Sequence, residues 1–279
     1  MEPRSARRSW SLSLAFLLVA ATTLGPGGGR RASGGVGLKR PDPAQVVPLD
    51  QVAPHAREGV AEVIRDAHFH RLGKSDTFPC NPRVYMKLLN EPALTLSLWQ
   101  DVGPTPARLS QVAPGKYQGT DGAGTQATWE FVVKSPRLNV LLCNLDYTSP
   151  RGSAHLTGRI VLIVRSGYFR EVNGDFWVQQ EVEAFVKVDS RGWKAVAVTV
   201  KPLIEKLLDD QVREAGWFVS MMGRLVETYP EWASSVAKSQ KELPIASRDG
   251  FLDVVKQTRR PGASTGRPVL ADSGATRVK

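Results

Sequence analysis

The spacing of apolar residues changes along the chain, helical at first, then alternating, then helical again. From about Arg57, Val60, Val63, Ile64, Ala67 and Leu72 recur at helical spacing and predict a first helix. Asn81-Pro82 supplies a cap and a first-turn proline for a second short helix, Arg83 to Asn90, which Pro92 ends. Leu94 to Trp99 fits helix or strand. Glycine and proline then dominate residues 103–124, a long connection that short strands at Arg108-Leu109 and Lys116-Tyr117 would shorten.

From Thr125 the period becomes two. Trp129, Phe131 and Val133 face one way and Glu130 and Lys134 the other, Ser135-Pro-Arg137 turns the chain, and Leu138 to Tyr147 returns. Leu156, Ile160, Leu162 and Val164 share a face of the next strand. Val178, Val182, Ala184, Val186 and Val188 share a face of the one after, with Gln179, Glu181, Glu183 and Lys187 pointing away. This alternation predicts one wet and one dry face. A turn at 189–192, a strand from Trp193 to Val200 and a helix from Leu203 to Tyr229 complete the pattern, with Pro202 opening that helix and Pro230 stopping it. The helix carries an apolar stripe of Ile204, Leu207 or Leu208, Val212, Ala215, Val219, Met222, Val226 and Tyr229. At about 1.5 Å per residue it would span roughly 40 Å, long enough to cover the dry face.

The ends read differently. Arg4, Arg7 and Arg8 precede the apolar run Leu14 to Ala21, the grammar of a signal peptide over residues 1–25. Residues 26–54 read as a disordered Gly/Pro linker, 55–237 as the folded domain, and 238–279 as a basic, mostly disordered tail in which Phe251 to Val255 docks as a helical turn. The net charge of +10 sits mostly in the ends, since residues 57–237 carry only +1. A folded reader of nucleic acid would hold its positive field on the domain, so that class is set aside; weak contact of the tail with an anionic membrane surface stays open. Export to the periplasm or cell envelope permits a Cys80–Cys143 disulfide. Cys143, however, lies in an apolar run where a free thiol packs as a small hydrophobe.

The order of two short helices, an antiparallel sheet and a long C-terminal helix, with Val186-Lys-Val-Asp-Ser-Arg-Gly-Trp193 feeding Pro202, resembles the START-like, or helix-grip, superfamily and a family of exported bacterial proteins. The resemblance covers residues 57–233. It implies an α+β fold whose C-terminal helix packs on one face of the sheet, and a cavity between them for lipids or other hydrophobic molecules. The expected function is therefore an exported, non-enzymatic binding domain without cofactor or metal. An envelope interaction module, or a hydrolase or cyclase on the same fold, is the alternative.

The candidate cavity residues are Gln180, Val182, Trp129, Val212, Gly216, Val219, Met222 and Gly223. Gln180 falls by parity on the dry face, where an unpaired amide is costly and a ligand's polar head is a natural partner. Gly216 and Gly223 each cost a helix about 1 kcal/mol relative to alanine, which close approach or room for a ligand would explain. Other chemistry reads weakly. His68 and His70 would not share a helix face, and His155 has no evident partner. Gly119 to Thr125 lacks the lysine and helix of a phosphate loop. Glu181 and Glu183 fit ion pairs with Lys187 better than acid–base work.

Overall fold

The computed structural model describes residues 41–103, 105–122, 124–148, 155–189, 218–259 and 262–268. The signal segment, residues 26–40 of the linker, the strand expected over Trp193 to Val200 and the first part of the C-terminal helix, with Val212 and Gly216, lie outside them. Among the described residues, α1 (Pro43–Val46) and a short 3₁₀ turn (Pro54–Ala56) lead into α2 (Arg57–Arg65), β1 (Phe69–Leu72) and β2 (Asp76–Pro79). Two helices follow, α3 (Pro82–Asn90) and α4 (Pro92–Val102), and then β3 (Arg108–Ala113), β4 (Lys116–Thr120), β5 (Thr125–Lys134), β6 (Leu138–Thr148), β7 (His155–Arg170) and β8 (Phe176–Val188). The helices α5, described over 218–228, α6 (Pro230–Ser239) and α7 (Ile245–Thr258) close the fold.

The strands form one open eight-stranded antiparallel sheet in the order β1-β8-β7-β6-β5-β4-β3, with β2 also on β8. Local chemistry sets its turns. Gly115 takes a φ of 71° between β3 and β4, a left-handed conformation that glycine adopts without a Cβ clash. Ser135 closes the β5–β6 turn by accepting from the Leu138 amide at 3.0 Å. Asn173 accepts from the Asp175 amide at 2.9 Å between β7 and β8, as an Asx turn does. The Asn81 cap is present, accepting from the Arg83 amide at 2.9 Å.

The α+β class and the antiparallel sheet with C-terminal helices follow the sequence reading, but the layering is richer. On the inner face, Trp129, Cys143, Val164, Val178 and Val182 join α3 to α7 in one core. On the outer face, Val140, Val161, Ile163 and Phe185 meet Val60, Val63 and Ile64 of α2 and the preceding segment. The expected wet face is therefore covered over β6 to β8. The reason is legible in β7, where Ile160 to Val164 is a continuous apolar run, the mark of a strand buried on both sides.

Val133 changes sides for a local reason. A register shift between Phe131 and Val133 pairs Val133 with Val140, so it lies in the outer core while Phe131 packs against the inner one. The carbonyl of Val132 at this bulge accepts from the Ala53 amide at 3.0 Å, tying the N-terminal segment to the sheet. The first helix also ends earlier than expected. Residues 69–72 alternate and pair with β8, so Leu72 is a strand residue. The strands that precede α3 and α4 are thus β1 and β2.

Both terminal boundaries move outward. Val47 and Val52, inside the segment read as linker, are each 1% exposed. In the segment read as tail, α7 buries Phe251 and Val255 in the inner core, and the Ser247 hydroxyl donates to Glu91 at 2.8 Å. Pro230 breaks the helix at Tyr229 and then opens α6 at its first turn, where a missing N–H is harmless.

Charges on the face expected to be wet bind the layers together. Arg159 donates two hydrogen bonds to Glu62, at 2.6 and 3.0 Å, and two to Asp189, at 2.9 and 3.0 Å, while Lys187 also reaches Glu62. The hydrogen bond from Arg159, then that from Lys187, lowers the Glu62 pKa from 4.5 to about 2, against a smaller opposing effect of burial. A pKa depressed by folding contributes stability above pH 4.5 that is lost as pH falls toward 2. In thermal unfolding, wild type should therefore lose stability across that window. Its advantage over Glu62→Gln should be constant above pH 5 and shrink below it; a pH-independent difference counts against the pairing.

Candidate functional site

Three paired positions on the inner face make a polar row in otherwise apolar surroundings. Asp76 of β2 pairs with Gln180 of β8, and Gln180 with Ser166 of β7. Paired residues point to the same face with Cβ atoms about 4.5–5.5 Å apart. One step along, the row is Phe78, Val178 and Tyr168. Gln180 is only 3% exposed, and its carbonyl oxygen has no hydrogen-bond partner among the described residues. Asp76 is partly buried and makes no ion pair among them.

Helix α3 brings Tyr85 onto this row. Its hydroxyl lies 2.7 Å from that of Ser166, both groups being buried. Tyr168 donates to the Pro136 carbonyl in the β5–β6 turn. Its ring meets that of Tyr85 edge-on at 6.1 Å. Burial pushes both phenol pKa values up, so both stay protonated.

Helix α5 closes the side of the site. Gly223 lies where a Cβ would stand 2.7 Å from the Cys80 sulfur, and four residues on, Glu227 accepts from the Asn81 amide. The glycine therefore serves close approach to the β2–α3 junction. Val219 and Met222 lie in the same core as Val182 and Trp129, so the structure gathers every described member of the sequence-based set on one side of the sheet. Cys80 and Cys143 are buried and not joined in a disulfide, and burial pushes the Cys143 thiol up to about 12.

Sequence reasoning missed Asp76, Tyr85, Ser166 and Tyr168. A parity argument places Ser166 on the face of Val164, but nothing in the sequence gives the register that sets it beside Gln180. The other candidates lie elsewhere. Glu183 is buried on the outer face, where it accepts from His70 at 2.8 Å and Arg165 at 2.6 Å instead of pairing with Lys187. Burial raises its pKa, but those two hydrogen bonds outweigh burial and the net shift is downward. His70 stacks on Phe185 at 4.3 Å, so it is a strand residue with a structural partner. His155 meets Asp146 at 3.0 Å. Gly119 and Thr120 end β4 and Thr125 opens β5, and Asp121 accepts from the Thr125 amide at 3.0 Å.

No group of three or more His, Cys, Asp or Glu side chains that could hold a metal ion occurs among the described residues. A cleft of about 380 Å³ on the outer face is lined by Gln118, Gln126, Thr128, Asn144, Asp146 and Arg159, with Ala127 and Leu145 among the others.

No family model matches the sequence, and no curated protein matches it. Among solved structures, the chain is similar to a conserved protein from Geobacillus kaustophilus (14% identity, TM-score 0.42), over 57% of this chain and 97% of that one. It is also similar to a truncated norcoclaurine synthase from Thalictrum flavum (11% identity, TM-score 0.36), over 55% and 93%. A third likeness is to an aromatase/cyclase from a Streptomyces species (8% identity, TM-score 0.33), over 57% and 95%. These are likenesses of fold alone. Two of the three carry the names of enzymes, so the expectation of a non-enzymatic domain does not stand; neither gives this chain an activity.

Proposed function

We propose that the chain holds a hydrophobic small molecule or lipid between the inner face of its sheet and helices α3 and α5. The observation that carries this reading is the Gln180 carbonyl oxygen, buried and without a partner among the described residues in a mostly apolar core. A buried acceptor left unpaired costs about 1–3 kcal/mol, a penalty that leucine at this position would avoid. A ligand's polar group meeting this oxygen removes the penalty, while Val182, Val219 and Met222 supply the apolar wall. Methionine suits such a wall because its side chain adapts to irregular shapes.

The reading includes export, supported by the arginines and apolar run of residues 4–21. Native mass spectrometry of the purified protein should show a co-purifying apolar molecule, or uptake of one from a total lipid extract. A protein that emerges empty and takes up nothing overturns the binding reading. Cell fractionation tests export separately: recovery from the cytoplasm with residues 1–25 intact overturns that part alone.

A further inference from the structure

We propose that the tip of the β7–β8 hairpin docks on a lipid bilayer with zwitterionic headgroups, entered by Val172 with a collar of aromatic rings behind it. This goes beyond the binding reading and does not depend on it. Strand β6 makes its last pair with β7 at Leu138 and Arg165. Strands β7 and β8 then continue through five further pairs, from Ser166 with Gln180 to Arg170 with Phe176, which at about 3.3 Å per residue carry the hairpin roughly 16 Å farther. On the other side β2 follows β8 only to Pro79, opposite Trp177. Residues 171–175 thus stand clear of both neighbouring strands. Their turn is held by its own bonds: the Glu171 amide donates to the Asp175 carbonyl and the Gly174 amide to the Glu171 carbonyl, both at 2.9 Å, and Arg170 donates to the Gly174 carbonyl at 2.8 Å. Turn chemistry calls for residues such as Asn173, Gly174 and Asp175. The valine serves none of it, yet it is held out at 109% exposure.

Behind the valine lie rings on both faces of the hairpin. On the outer face Phe169, 45% exposed, stacks on Trp177 with ring centroids 6.3 Å apart. On the other face the Arg170 guanidinium lies over the Phe176 ring at 5.1 Å. An aliphatic apex, rings a level below it and a cation whose stem runs beside a ring follow the order in which a bilayer is met, hydrocarbon at the tip and headgroups behind. A protein partner would cover one face of the hairpin, whereas a bilayer surrounds an inserted tip and engages both. Charge narrows the headgroup. The turn 135–137 and the tip 170–176 together carry Arg137 and Arg170 against Glu171 and Asp175. These cancel, so this end of the sheet offers no net field to an anionic surface. The same hairpin holds Ser166 and Gln180 on its inner face, so docking by the tip turns that end of the candidate site toward the lipid.

Cys80 and Cys143 are buried, so a thiol introduced at the tip can be labelled selectively with the polarity-sensitive dye NBD. Full-length Val172→Cys carrying the dye is titrated with vesicles of phosphatidylcholine alone. Its emission should shift to the blue and rise severalfold, and nitroxide-bearing lipid should quench it. The same dye at Gln118→Cys, exposed and at the opposite end of the sheet, should not respond. In sedimentation with the vesicles, Val172→Asp should bind about tenfold more weakly than wild type, the effect of one valine no longer buried, and Val172→Trp should bind more tightly. A dye at position 172 that stays in water while the protein sediments assigns the contact to the basic ends or to the apolar run 14–21, and overturns the proposal. Equal binding of wild type and Val172→Asp overturns it as well. Absence of binding to the vesicles does the same and leaves the tip to a protein partner. Each of these results leaves the ligand reading standing, since native mass spectrometry decides that question separately.

Discussion

Replacing Phe251 with alanine is expected to lower the free energy of unfolding by about 3–5 kcal/mol, the usual cost of emptying a well-packed aromatic site. The position makes the test sharp. Composition marks residues 238–279 as a basic tail, and in a solvated tail the substitution would change stability by no more than about 0.5 kcal/mol. In the fold, Phe251 is 0% exposed and shares a core with Tyr85 and Leu88 of α3. Helix α7 is further fixed by the Ser247–Glu91 hydrogen bond and by Gly250, where a Cβ would stand 2.9 Å from the Lys87 ammonium. Urea unfolding of the two proteins separates the outcomes, and unchanged stability would remove α7 from the cooperative unit. Because α7 backs the helix that carries Tyr85, the same variant is expected to weaken ligand uptake.

Placing alanine at Gly223 should destabilise the protein by about 1–3 kcal/mol through overpacking. The sign is informative because helix propensity alone favours alanine by about 1 kcal/mol. A loss must therefore come from the clash with the Cys80 sulfur, 2.7 Å from the added carbon. The thiol is fully buried. Removing it should rescue the variant: Gly223→Ala with Cys80→Ala is expected to be at least about 1 kcal/mol more stable than the sum of the single changes predicts, as for residues in contact. Additive effects in a double-mutant cycle would show that the glycine serves something other than this approach.

Much of the sheet was readable because its strands obey a period of two and its turns carry their own chemistry. Asn81-Pro82 fixed the start of α3, and the alternation from Val178 to Val188 placed Gln180 correctly on the inner face. The outer layer was missed because Arg159, Lys187 and Glu183 stand where solvent would suit them. Two of their partners, Glu62 and His70, come from distant segments and the third, Arg165, from the neighbouring strand, and charge by itself does not distinguish a solvated residue from a paired one. Val133 was misplaced by a bulge, a one-residue insertion in the ladder that periodicity cannot register. The polar row was illegible for a related reason. Asp76, Ser166 and Gln180 meet only through the pairings of β2 and β7 with β8, and Tyr85 joins them only because α3 packs across that ladder.

The position of β8 governs how the molecule can be made. It is bordered by β7 on one side and by β1 and β2 on the other, with Phe69 opposite Val186. Val60, Val63 and Ile64 also settle against the outer surface it completes. Such long-range pairing is slow, since the entropy of closing the loop precedes any reward. Synthesis delivers the N-terminal segment first, yet its resting place does not exist until residue 188 has emerged. Helix α2, made before any strand of the sheet, is thus buried late, and its greasy stripe is the one a nascent-chain chaperone has most reason to shield.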